Sequence, residues 1–335
     1  MKKYLKYLGY TLLAILGLLI VTGYIGIRKF HSSLFKEKPN HLVYTSEFNL
    51  VRFVWENDSI GDYLETQIAM MIPFRIEGLS HKFYMQFDTG SPNTFIYEND
   101  LKSLKRVGLN FKEIVIEDER YVQNIKFVLG GNNINASMIK ILDGYGNTFD
   151  KNDTTGRINI GTIGSDFMEN RITTIDFKNQ TLQFHNNRPK WMASLPDFEP
   201  FDFQGRRFML PATINGKRLE LLYDSGCSAF GLITTKNRFD SYTDEKTEEI
   251  KYEANSWGND IPIRHKATDK KMQIGNANLG LKRISYVNMY VDYQSLMTPF
   301  TRIGGWLGNR PFSESTLILD TKKEEFIVIE SSVIQ

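Results

Sequence analysis

One pattern constrains this chain more than any other, because it occurs twice. "FYMQFDTGSPNTFIY", residues 83–97, carries an apolar run into an aspartate, a hydroxyl residue and a glycine. "LELLYDSGCSAFGLIT", residues 219–234, repeats the device. The surroundings recur in the same order. "MIPFRIEGLSHKFYMQFDTGS" (71–91) parallels "MLPATINGKRLELLYDSGCS" (209–228), and "VLGGNNINASMIKIL" (128–142) parallels "QIGNANLGLKRISYV" (273–287). "TIGSDFMENRITTIDFKNQTLQF" (162–184) parallels "WLGNRPFSESTLILDTKKEEFIV" (306–328), setting Asp176 opposite Asp320 without a gap. Matched blocks in one order imply the duplication of a single β unit, not a long repeat array. The expected architecture is therefore two related lobes.

Short β-rich runs joined by Gly, Asn and Lys turns dominate after residue 40, and long amphipathic helices are scarce, so the fold class is all-β. The best internal boundary is 186–207, where Pro189, Pro196 and Pro200 interrupt the periodic segments. The resulting division is 1–30 as membrane anchor or signal, 31–70 as tether and lead-in strands, 71–190 as a first lobe with Asp88, 191–207 as inter-lobe linker, and 208–335 as a second lobe with Asp224.

A carboxylate buried at a strand end must find donors or keep its proton. Each aspartate here follows an apolar strand and precedes a hydroxyl-glycine pair. Gly90 and Gly226 permit a tight turn that exposes N–H groups, and Thr89 and Ser225 supply hydroxyls for the neighbouring backbone. If the lobes pack about a pseudo-twofold axis, Asp88 and Asp224 face each other. At about 3 Å and an effective dielectric near 20, two carboxylates repel by roughly 5 kcal/mol, equivalent to about four pKa units. One then retains a proton while its partner ionises, giving a general acid and a general base in one site. A single Asp-Ser/Thr-Gly is more often a structural turn; two copies inside a matched repeat are not.

With its Asp-Thr-Gly-Ser and Asp-Ser-Gly motifs and an apolar-apolar-Gly segment later in each half, the chain resembles the aspartic peptidases, for which shared-proton chemistry between two aspartates is already known. Two lobes in one chain resemble pepsin; the compact lobes and "IGSDF" (163–167) are more similar to bacterial relatives of the retroviral enzymes. Covering roughly residues 70–330, the resemblance implies a bilobal pepsin-like acid protease fold with a central cleft, Asp88 and Asp224 as catalytic pair, and an extended peptide or protein as substrate. It further implies that Thr162-Ile163-Gly164 and Trp306-Leu307-Gly308 thread past the active loops, where glycine suits close backbone passage. Thr89, Gly90, Ser91, Ser225, Gly226 and Cys227 form the loops, with Ser91 expected to tune Asp88.

The sequence also departs from the family. The fourth motif position is Ser91 in one half but Cys227 in the other, a weaker donor that shifts the expected pH optimum upward. No Tyr-Gly-rich flap is evident; Tyr121 in the first half, and Trp257 with Gly258 in the second, are the flap candidates.

Composition narrows the alternatives. A net charge of +2 without a basic stripe gives nucleic-acid binding no support, and one cysteine rules out an intramolecular disulfide. No cofactor and no metal are expected: the five histidines lack ligand spacing. Asp166 reads as a local cap or ion-pair partner, and Asp176 and Asp320 as turn formers. Residues 7–27 carry no charge and lie between Lys2, Lys3 and Lys6 and Arg28 and Lys29. A helix of that length, at about 1.5 Å per residue, spans roughly 31 Å. The run exceeds the apolar core of a cleaved signal peptide, the rival reading, and points to a single-pass anchor with the domain extracytoplasmic. A membrane-tethered aspartic endopeptidase acting as a monomeric unit is the first functional expectation. A catalytically inactive, anchored peptide-binding or scaffold protein is the second, and a hydrolase using Cys227 the third.

Overall fold

The computed structural model describes residues 39–43 and 50–330, apart from 61–62, 77–78, 151, 153–155, 257 and 290–302, together with 23, 26, 29 and 36. The expected anchor over 7–27 lies almost wholly outside them, as does Trp257. Among the described residues no helix is long and apolar enough to cross a membrane.

The described chain is mainly β, in two nine-stranded sheets and one of six strands, with two short α-helices. Alternation explains the strands: Phe83, Met85 and Phe87 of Lys82–Phe87 are buried, and the residues between them are less so. Each nine-stranded sheet contains the same local arrangement. Lys82–Phe87 pairs antiparallel with Tyr63–Arg75 and parallel with Arg157–Ile163. Lys217–Tyr223 pairs antiparallel with Phe208–Ile214 and parallel with Ile303–Leu307. Even the prolines correspond: Pro73 opposes Tyr84 and Pro211 opposes Glu220, each partner four residues before its aspartate.

"LGGNN" is the turn between Glu119–Leu129 and Asn132–Leu142, as its glycines suggested. Its counterpart joins Lys271–Ile274 to Ala277–Gly280. The third repeated block forms the six-stranded sheet, where Ile172–Asp176 runs antiparallel to Ser315–Asp320. Strands from the two halves are thus neighbours, and each contributes apolar side chains to the same cluster, among them Phe184 and Phe326. Asp176 and Asp320 are turn formers: Asp176 accepts from Asn179 N at 2.9 Å and Asp320 from Lys322 N at 3.1 Å.

Three features lie outside the sequence reading. Tyr63–Arg75 runs straight through the expected boundary at residue 71, and Val51–Arg52 joins the six-stranded sheet, so the lead-in strands belong to the body of the protein. The helices Glu98–Arg106 and Lys236–Tyr242 each follow the strand after an aspartate loop, burying Leu101 and Leu104, and Phe239 and Tyr242. The linker is also structured: Glu199–Pro200 pairs with Glu325–Glu330.

Glu65, 1% exposed, clamps the halves together. Its carboxylate meets Arg283 Nη1 and Arg310 Nη2, each at 2.6 Å. Removing one partner of a buried ion pair leaves uncompensated charge behind. Glu65→Gln is expected to destabilise the fold by about 3 kcal/mol, measured by equilibrium urea unfolding of the full chain.

Candidate active site

Each aspartate lies at the end of a central strand, where the parallel neighbour holds it. Asp88 N donates to Ile163 O at 3.0 Å, and Asp224 N to Leu307 O at 2.9 Å. The next residues in those neighbours are Gly164 and Gly308. A Cβ at Gly164 would collide with the backbone of Asn93, and one at Gly308 with the carbonyls of Cys227 and Phe230. Glycine is required there by space.

The two loops are joined by reciprocal hydrogen bonds. Thr89 N donates to Ser225 Oγ and Ser225 N to Thr89 Oγ1, each at 2.9 Å. Thr89 Oγ1 donates to Tyr223 O at 3.1 Å, and Ser225 Oγ to Phe87 O at 2.9 Å. Each hydroxyl therefore accepts from the opposite loop and donates to the carbonyl just before the opposite aspartate. Both side chains are fully buried, so these bonds have no water to compete with them.

That exchange sets the carboxyls face to face. A Cβ on Gly90 would lie 2.5 Å from Asp224 Cγ, and one on Gly226 would lie 2.6 Å from Asp88 Oδ1. Each glycine thus leaves room for the opposite carboxyl group, and the two carboxyls come within hydrogen-bonding reach of each other. Asp88 Oδ1 accepts from Gly90 N at 2.9 Å and Ser91 N at 3.3 Å; Asp224 Oδ1 accepts from Gly226 N at 2.9 Å. Burial first, and the charge and hydrogen bond of Asp224 after it, push Asp88 well above the usual carboxylate range, against the pull of the Gly90 and Ser91 amides.

The fourth motif positions behave differently in the two loops. Ser91 Oγ donates to Asn93 O at 2.7 Å, so Ser91 reaches Asp88 through its backbone N–H rather than its hydroxyl. Cys227 Sγ lies 3.3 Å from Asp224 Oδ2. Burial, reinforced by Asp224, pushes the Cys227 thiol well up.

A surrounding layer escaped the sequence reading. Ser165 Oγ donates to Thr89 O and Ser165 N to Ser91 O, both at 2.8 Å. Its counterpart Asn309 donates to Ser228 Oγ at 2.7 Å and accepts from Tyr223 Oη at 2.8 Å. Their signal was their place directly after Gly164 and Gly308. Asp166 accepts from Thr94 N at 2.8 Å and Thr94 Oγ1 at 2.7 Å, and burial raises it to about 6. It fastens the loop locally.

The flap candidates separate. Tyr121 Oη donates to Glu119 Oε2 at 2.7 Å, and burial together with that carboxylate pushes its hydroxyl up to about 12; none of these contacts leads to the aspartates. Gly258, at φ +78°, turns the hairpin Ile250–Ser256/Asn259–Ala267. Its Cα approaches Tyr145 of the first half, 3.2 Å separating a Cβ built there from the Tyr145 hydroxyl. The same hairpin packs Tyr252, Ala254 and Ile261 in one apolar cluster with Cys227, Ile68 and Trp306. The second-half hairpin is thus the one that reaches from the Asp224 loop toward the opposite half.

No protein-family model matches the chain, and no curated protein matches it. Among the described residues no group of His, Cys, Asp and Glu side chains is arranged to hold a metal ion.

Ser225→Ala would strand two buried partners, Thr89 N and Phe87 O. The expected cost is about 2–4 kcal/mol of stability. Thr89→Val should cost a similar amount, and the double variant less than the sum because both act on one interface. Chemical denaturation of the three variants measures this.

Proposed function

We propose that the chain is an aspartic endopeptidase of the two-lobed, pepsin-like type, hydrolysing peptide bonds between Asp88 and Asp224. The observation that carries this reading is the reciprocal exchange between Thr89 and Ser225, which holds two carboxyls against each other although their charges repel. A purely structural turn gains nothing from such an arrangement, since burying two carboxyls against each other costs stability. The matched strand surroundings of the two aspartates, and the sheet shared by the halves, support the bilobal fold.

In this mechanism the ionised partner takes a proton from a water molecule, whose oxygen attacks the carbonyl carbon. The protonated carboxyl gives its proton to the carbonyl oxygen, forming a tetrahedral diol. Collapse of the diol returns one proton to the pair and delivers another to the leaving nitrogen, breaking the C–N bond. An extended peptide would lie between the halves, with backbone hydrogen bonds to neighbouring strands. Ile68, Tyr252, Ile261 and Trp306, half-buried beside the Asp224 loop, would line its path. Residues 7–27 would tether the domain to a membrane, with the catalytic part extracytoplasmic.

The cysteine-hydrolase alternative is disfavoured by the environment of Cys227. A nucleophilic thiol is activated by cations that lower its pKa; this one is raised by burial and by a neighbouring carboxyl. An anchored, non-catalytic peptide-binding protein is separated from the peptidase by turnover alone.

Asp88→Asn is expected to lower cleavage of a peptide library by about 1,000-fold or more while leaving the fold intact. Cleavage by the wild-type chain should follow a bell-shaped pH profile. Its low-pH limb appears where both carboxyls are protonated, and its high-pH limb where the shared proton, held by the raised Asp88, is lost. Mass spectrometry of the digest decides the matter: cleavage unaffected by Asp88→Asn, or absent from both proteins across acid to neutral pH, overturns the peptidase reading.

A further inference from the structure

The two aspartate loops are near-symmetric, but their surroundings carry one charge that the symmetry does not explain. Phe208 pairs with Tyr223, so one step along the antiparallel ladder Arg207 lies opposite Asp224. Phe208 and Tyr223 both turn into the core, which puts Arg207 and Asp224 together on the other face. Arg207 Nη1 donates to Gly90 O at 3.0 Å. Gly90 is the residue whose Cα rests against the Asp224 carboxyl. A half-buried guanidinium from the second half therefore grips the first active loop and stands within Coulombic reach of Asp224 and, less strongly, of Asp88. In the first half Met70 pairs with Phe87, so the matching position opposite Asp88 is Ala69.

Resting on the peptidase reading, we propose that Arg207 is a positioning residue for the carboxyl pair: it fixes the Gly90 carbonyl and, by its charge, keeps the negative charge of the pair on the Asp224 side and the proton on Asp88. It thereby sets the acid limit below which the pair loses its base. The other titratable groups at the pair are Cys227 and Tyr223 beside Asp224 and Tyr97 beside Asp88. All three are pushed upward by burial, which favours their neutral forms. Arg206, next in the chain, turns away to Asn93 Oδ1 and Glu169 Oε2, both at 3.0 Å.

Removing the cation makes ionisation of the pair harder, so the lower of its two titration steps must move up. The test is a carboxyl-carbon NMR titration of the full-length chain labelled with carbon-13 aspartate, with Asp88→Asn as the assignment control. Arg207→Gln is expected to raise the lower step by about one pH unit, and Arg207→Lys, which keeps the charge, to restore at least about half of that shift. Arg207→Met, with a similar apolar stem, is a second uncharged variant and should shift the step as Arg207→Gln does. The acid limb of peptide cleavage should move by the same amount. A shift below about 0.2 unit in the uncharged variants, or an Arg207→Lys titration indistinguishable from theirs, overturns the proposal. Because the titration requires no substrate, absence of cleavage by the wild-type chain would count against the peptidase reading alone.

Discussion

Two hydroxyls, on Thr89 and Ser225, each bonded to the backbone of the opposite loop, are the contact on which the rest of the site depends. Both are buried, and each accepts from an amide and donates to a carbonyl of the opposite half. Their effect is geometric: once the loops are locked in that exchange, the side chains that precede them have nowhere to point but toward each other. The glycines that follow make the approach possible, since any side chain there would occupy the opposite carboxyl's space. The electrostatic strain of the pair is thus imposed by a hydrogen-bonded frame, and the frame is held in turn by Ser165 and Asn309 from behind.

Around this symmetric frame the two halves have diverged, and the differences are electrostatic. Ser91 turns its hydroxyl to Asn93 while Cys227 keeps its sulfur on Asp224. Asp166 binds Thr94 within its own half, whereas the matching Arg310 reaches across to Glu65. Ala69 stands opposite Asp88, and Arg207 opposite Asp224. Two carboxyls in identical surroundings would share a proton evenly. Unequal neighbours bias it toward one of them.

Much of this was legible in the chain because duplication writes the same local physics twice. Short β-rich runs gave the strands, and the repeated aspartate-hydroxyl-glycine motifs gave the correspondence of the two halves. Other parts were not legible. The helices Glu98–Arg106 and Lys236–Tyr242 are too short for their periodicity to stand out beside strand patterns, and their apolar residues become a buried face only against the sheets. Glu65 and Arg207 look like ordinary surface charges in sequence; their partners lie far along the chain, and no spacing rule connects them.

What the sequence determined by itself was the mainly-β class, the twofold repetition and the identity of the two aspartate loops, because these follow from short-range periodicity and turn chemistry that each segment carries alone. What only the tertiary structure decided was which hydroxyl grips which carbonyl, which hairpin reaches the opposite half, and where Arg207 stands relative to the carboxyls. Those are distances between residues remote in the chain, fixed by how two packed sheets meet, and no local pattern encodes them.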